Sequence, residues 1–142
     1  VDVARLKSDL RRHEGTRLRP YVCTAGKITI GIGRNLTDNG ISRNEAEYLL
    51  DNDIRRHYEM LVARFPVVST LNDVRREVLV NMALNLGIAG VAKFVKMWAA
   101  IEQGDFGRAA QEMMDSRWSG QVGDRAVELA GRMKRGSPWM PW

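Results

Sequence analysis

Three side chains in the stretch RRHEGTRLRPYVCTAGKITIGIGRNLT, residues 11 to 37, are of types that can do chemistry. Glu14 ends a run with helical spacing. Cys23, the chain's one cysteine, stands before the turn-like TAG, and Thr29 interrupts a strand otherwise rich in isoleucine and glycine. A carboxyl group can give or take a proton, an ionised thiol acts as base or nucleophile, and a hydroxyl both donates and accepts hydrogen bonds. Each also has an ordinary explanation. A helix-end glutamate is usually solvated, a single cysteine is often a small buried hydrophobe, and the branched Cβ of threonine suits a pleated strand. One cysteine excludes an internal disulfide. With only two widely separated histidines beside it, no zinc site of the usual ligand count can form, so no metal and no cofactor is expected.

These residues need elements to hold them. Asp2 can cap a first helix whose Val3, Leu6 and Leu10 share one face, and Gly15 ends it, which puts Glu14 at the helix C-terminus. That end of a helix disfavours a carboxylate, and burial beside the next element would too; both raise a carboxyl pKa. From Leu18 the pattern changes to a β-hairpin, with Ile28, Ile30 and Ile32 on an apolar face and Thr29, Gly31 and Gly33 on a nearly bare one. Glycine weakens a strand, and it is tolerated where a backbone or ligand must come close.

After the loop LTDNGI, Ser42 and Glu45 form a capping box that opens a helix of about 20 residues, which Pro66 closes. A second helical group starts near Asn72 and continues past Gly87 to the end of the chain. Trp98 and Trp118 fall at helical spacings that suit a core, while the prolines of the tail SPWMPW keep it from being helical. The expected architecture is a small helix-plus-hairpin lobe and a larger helical lobe joined by one long helix, an arrangement that leaves a cleft.

The chain has 142 residues, 44% of them hydrophobic, and a net charge of +5, as befits one globular domain with an anionic partner. No apolar run reaches the roughly 18–20 residues of a membrane span, so no stable membrane insertion is expected. The basic residues come in short separated pairs such as Arg11–Arg12 and Arg75–Arg76, which read as solvated faces, and nucleic acid is not the expected partner.

The stretch HEGTRLRPYVCTAGKITIGIGRNLT resembles the signature of the phage-type lysozymes, the T-even phage lysozyme family: Glu, eight residues, Asp or Cys, five residues, Thr. Glu14, Cys23 and Thr29 fit that spacing, and the likeness continues in EAEYLLDND, VRREVLVNMALNLGIAGVAKF and SRWSGQVGDRA. It departs at Arg34, where the T-even enzyme has a histidine, at Cys23, which occupies its aspartate position, and in a shorter loop before the long helix.

The resemblance implies a mainly helical α+β, lysozyme-like fold. Residues 1–142 would form one catalytic domain: a small lobe over about 12–50, a connecting helix over about 43–64, and a larger lobe over about 66–142 that includes the first helix. It further implies hydrolysis, with inversion, of the β-1,4 bond between N-acetylmuramic acid and N-acetylglucosamine in peptidoglycan. Such chemistry needs one carboxylic acid to protonate the leaving oxygen and a second group to serve water. Glu14 would be the acid, with Cys23 and Thr29 serving the water; apart from the resemblance, Arg17, Arg19 and Arg34 stand near Cys23 in sequence and would lower the thiol pKa if close in space. Asn35, Leu84 and Asn85 correspond to substrate-cleft positions, Gly33 would let a sugar approach the backbone, Arg125 matches an arginine that pairs with the glutamate, and Arg34 with Asp53 matches a structural ion pair. The implied protein is a monomeric endolysin that stays in the host cytoplasm until released to the cell wall, with no export segment in this chain. The alternatives are an impaired lysozyme fold that binds glycan or nucleic acid, and the lytic module of a larger tail protein.

Overall fold

Asp2 opens the first helix as its place ahead of an apolar stripe requires: its Oδ1 accepts the Arg5 N–H at 3.0 Å, and α1 runs from Val3 to Glu14. The structure, a computed structural model, describes residues 1–138 and is a mainly helical α+β fold. It divides into two units, Val1–Leu49 and Leu50–Trp142.

In the first unit, strands β1 (Arg17–Val22), β2 (Ile28–Gly31) and β3 (Arg34–Asn35) form an antiparallel sheet in that order. The expected hairpin thus gains a third strand. Thr29 lies in the central strand, opposite Tyr21 on one side and Asn35 on the other. Directly opposed residues share a face, so these neighbours help to cover it. Thr29 is 4% exposed, whereas Ile28 and Ile32 remain 50% and 41% exposed, the reverse of a buried isoleucine face.

The segment expected as a loop holds a short helix, α2 (Leu36–Asn39), capped by the Asn35 side chain. It fastens the start of β2: Thr37 Oγ1 accepts the Ile28 N–H at 2.8 Å, and Lys27 pairs with Asp38 at 3.1 Å. Helix α3 (Arg43–Arg64) begins at the expected capping box, with the Glu45 N–H on Ser42 Oγ at 3.1 Å and the Ser42 N–H on Glu45 Oε1 at 3.4 Å. It stops before Pro66, which starts a 3-10 turn over Pro66–Thr70.

The second unit contains α4 (Asp73–Ala92), α5 (Val95–Glu102), α6 (Phe106–Met114), α7 (Arg117–Val122) and α8 (Asp124–Arg135). Asn72 caps α4, whose path breaks at Gly87 with φ 76°, a conformation that costs glycine nothing. α8 packs on α4, α6 and α7. The buried apolar residues, from Leu61 through Val78, Leu79, Met82 and Met97 to Met133, form one core here. Each large side chain so buried contributes about 1.5–3 kcal/mol. Trp98 and Trp118 belong to that core, as expected; Trp98 stacks on Phe65 with ring centroids 3.8 Å apart. Of the apolar tail, residues 139–142 lie outside the described residues.

Candidate active site

Glu14 is the last residue of α1 and remains exposed, in place of the burial expected beside the hairpin. Its side chain lies against the backbone of Gly33. A Cβ built on Gly33 would stand 3.2 Å from Glu14 Cγ, Cδ and Oε2, and Gly33 has φ 71°. Both the left-handed backbone and the close carboxylate call for glycine at this position.

Cys23 sits where β1 hands over to the turn. Its N–H donates to the Lys27 carbonyl and its carbonyl accepts from the Gly26 N–H, both at 2.9 Å, so the thiol is carried on a closed loop. Hydrogen bonds from the backbone N–H groups of Lys27 and Ala25, and then from the Thr29 hydroxyl, hold the thiol pKa below its ordinary range. Donors that meet the charged form favour it. The source is therefore the turn, not Arg17, Arg19 or Arg34 as the sequence suggested. Arg17 instead covers the Tyr21 ring at 4.2 Å. The Thr29 hydroxyl also donates to the Lys27 carbonyl at 3.0 Å, so its single proton serves two acceptors.

Arg34 likewise stays local. Its Nη1 donates to Glu45 Oε2 at 2.6 Å and to the Gly40 carbonyl at 3.2 Å, while Asp53 accepts from Arg56 at 2.9 Å. Arg34 and Asp53, expected as each other's partners, are thus each bonded within their own unit, to Glu45 and to Arg56. Asn35 accepts the Asp38 N–H at 3.0 Å and donates to its carboxylate at 2.9 Å, so it is a helix cap as well as a candidate contact.

The remaining candidates lie in the second unit. Leu84, 36% exposed, and Asn85 are neighbours on α4, and Asn85 Oδ1 accepts the Trp118 indole N–H at 2.8 Å. Trp118 thus holds the Asn85 amide through its oxygen. Arg125, at the start of α8, donates through Nε and Nη2 to Asn81 Oδ1 at 2.9 and 2.6 Å. Asn81 escaped the sequence reading because a hydrogen bond between residues 44 apart leaves no local pattern. Its one trace is being polar four residues before Asn85 on the same helix face.

The structure therefore joins Cys23 to Thr29 and Glu14 to Gly33 within the first unit, and within the second it joins Arg125 to Asn81, on the helix that carries Leu84 and Asn85. Against known families, residues 11–136 match the model for phage lysozyme, a span that reaches from before Glu14 to beyond Arg125.

The chain belongs to the phage lysozyme family.

Among relatives of this phage lysozyme family member, the pre-baseplate central spike protein Gp5 of Enterobacteria phage T4 is 34% identical over 84% of the chain. The chain spans about a quarter of that protein's length, 26%. A probable T4-type lysozyme from Dictyostelium discoideum is 27% identical over 95% of the chain and 96% of its own length. An endolysin of Acyrthosiphon pisum secondary endosymbiont phage 1 is 29% identical over 89% of the chain and 86% of its own.

Proposed function

We propose that this phage lysozyme family member hydrolyses the β-1,4 bond between N-acetylmuramic acid and N-acetylglucosamine in peptidoglycan. The observation that carries the reading is the family match across residues 11–136, which takes in every candidate catalytic position. In this reading Glu14 protonates the leaving oxygen. Cys23, whose thiolate form the turn N–H groups favour, takes the proton of the attacking water, which the Thr29 hydroxyl helps to orient. Gly33 in the turn between β2 and β3, Asn35 in β3, and Leu84 and Asn85 on α4 are the candidate glycan contacts. Two proton-handling groups serving leaving group and water are what an inverting hydrolysis requires.

A net charge of +5 supports an acidic polymer as substrate, because a basic surface raises encounter rates in a way that salt screens. The test is release of reducing ends from purified peptidoglycan by the parent protein and by Glu14→Gln. The amide has no proton to give, and general acid catalysis accounts for about 10²- to 10⁴-fold. A folded Glu14→Gln protein with half the parental rate would remove Glu14 from the role.

The likeness to a tail spike protein, confined to 26% of that protein, favours a second setting for the same chemistry, as the lytic module of a larger tail protein rather than a free endolysin. The intact mass of the natural product separates the two: about 16 kDa fits the chain alone, and a much larger polypeptide fits a tail component.

A further inference from the structure

We propose that Asn81 is a positioning residue for Arg125, an inference that rests on the lysozyme reading and adds a residue to it. Asn81 lies inside α4, where asparagine is a poorer helix former than alanine. It shares a helix face with Leu84 and Asn85, three and four residues on. Its Oδ1 accepts from both Nε and Nη2 of Arg125, and its backbone carbonyl accepts from Nη2 at 3.3 Å. One edge of the planar guanidinium is thereby fixed, and the plane with it. Among the described residues no acceptor meets Nη1, and Arg125 is exposed, so the opposite edge stays open on a held base.

Charge separates positioning from simple fastening. An ion pair with a carboxylate would tie α8 to α4 at least as firmly, but it would cancel the arginine's charge. An amide oxygen holds the same two N–H groups and leaves the positive charge uncancelled. Arg125 also stands in the first turn of α8, where the helix dipole disfavours a cation. A cation kept there by a neutral partner presents a field that suits an anionic group during the reaction.

The experiment measures reducing-end release and thermal unfolding for Asn81→Asp, Asn81→Leu, Arg125→Ala and the Asn81→Leu/Arg125→Ala double variant. Asn81→Asp is expected to unfold at or above the parental temperature yet turn over at least about tenfold more slowly, because the field at Nη1 is reduced. Asn81→Leu should slow turnover comparably, and in the Arg125→Ala background it should add no further loss. Parental activity in Asn81→Asp would show a structural fastener and overturn the proposal, as would parental activity in Arg125→Ala or multiplicative losses in the double variant. If the parent itself releases no reducing ends, the lysozyme reading fails first and takes this role with it.

Discussion

Gly33 and Glu14 are in contact across the small unit: the glycine backbone forms the floor on which the carboxylate rests, with 3.2 Å between a built Cβ and three Glu14 side-chain atoms. Gly33→Ala therefore meets two penalties. The backbone at φ 71° is left-handed, which costs an L-residue about 1–2 kcal/mol, and the new methyl pushes the carboxyl group away. The expected result is a lower melting temperature together with a rate loss larger than destabilisation explains, seen well below the melting temperature. Unchanged turnover would mean that Glu14 does not depend on this floor.

Arg34 and Glu45 form the link between β3 and the start of α3. The Arg34 guanidinium, and after it the Ser42 hydroxyl, holds the Glu45 carboxyl below the usual carboxylate range. A folded pKa below the unfolded one, about 4.3 for glutamate, means that the stabilisation is present above that unfolded value. It is lost as pH falls through the lower folded value. Glu45→Gln should thus melt below the parent at pH 7 and converge with it in strongly acidic solution. Because both side chains are over 40% exposed, the neutral-pH difference should be modest and shrink with salt. A double-mutant cycle with Arg34→Met that comes out additive would show that the pair contributes nothing.

Arg75 closes the C-terminal end of α8. Nε donates to the Met133 carbonyl at 2.8 Å, Nη2 donates to the Lys134 carbonyl at 3.0 Å, and the guanidinium lies 3.6 Å from the centroid of the Phe106 ring. These carbonyls are the ones a helix end leaves without partners. Hydrogen bonds from a charged donor are worth roughly 1.5–3 kcal/mol, so Arg75→Met should lower stability by about that amount while peptidoglycan turnover at low temperature stays near parental. Arg75→Lys should recover only part, since an ammonium cannot reproduce the planar fork. Full stability in Arg75→Met would rule out the clamp.

The parts of the fold that were legible in the sequence are those with short-range causes. Asp2, Ser42 with Glu45, and Asn72 each cap a helix through bonds spanning three residues, so pattern alone finds them. Strand β3 is two residues long and helices α2 and α7 are four and six, too short to show a period. The spacing of Glu14, Cys23 and Thr29 was readable because all three lie on one local stretch. What could not be read is which partner a long side chain finds. Arg34 reaches Glu45 rather than Asp53, and Arg125 reaches Asn81, through contacts whose sequence separation carries no periodic trace. The depth of Thr29 was missed for a related reason, since a strand with bare neighbours looks exposed until the third strand is paired to it.

Cys23 is the residue on which the chemical reading can be tested most directly, because its thiol both titrates and reacts. An unassisted thiol, with a pKa of about 8.5, is mostly protonated at neutral pH and would be a poor base. The N–H groups of Lys27 and Ala25 and the Thr29 hydroxyl favour the thiolate, so the active form persists to lower pH than for a free thiol. Turnover is expected to rise with pH along a limb centred below the ordinary thiol value, and the rate of alkylation by iodoacetamide should follow the same limb. Thr29→Val removes one donor and should move the alkylation limb upward, whatever it does to turnover. Cys23→Asp should keep activity and carry the turnover limb to more acidic pH, since a carboxylate can use the same donors and ionises earlier. Cys23→Ala should lose most of the rate. If Cys23→Ala degrades peptidoglycan as fast as the parent, the thiol only fills the turn, and Thr29 with Glu14 must manage the water without it.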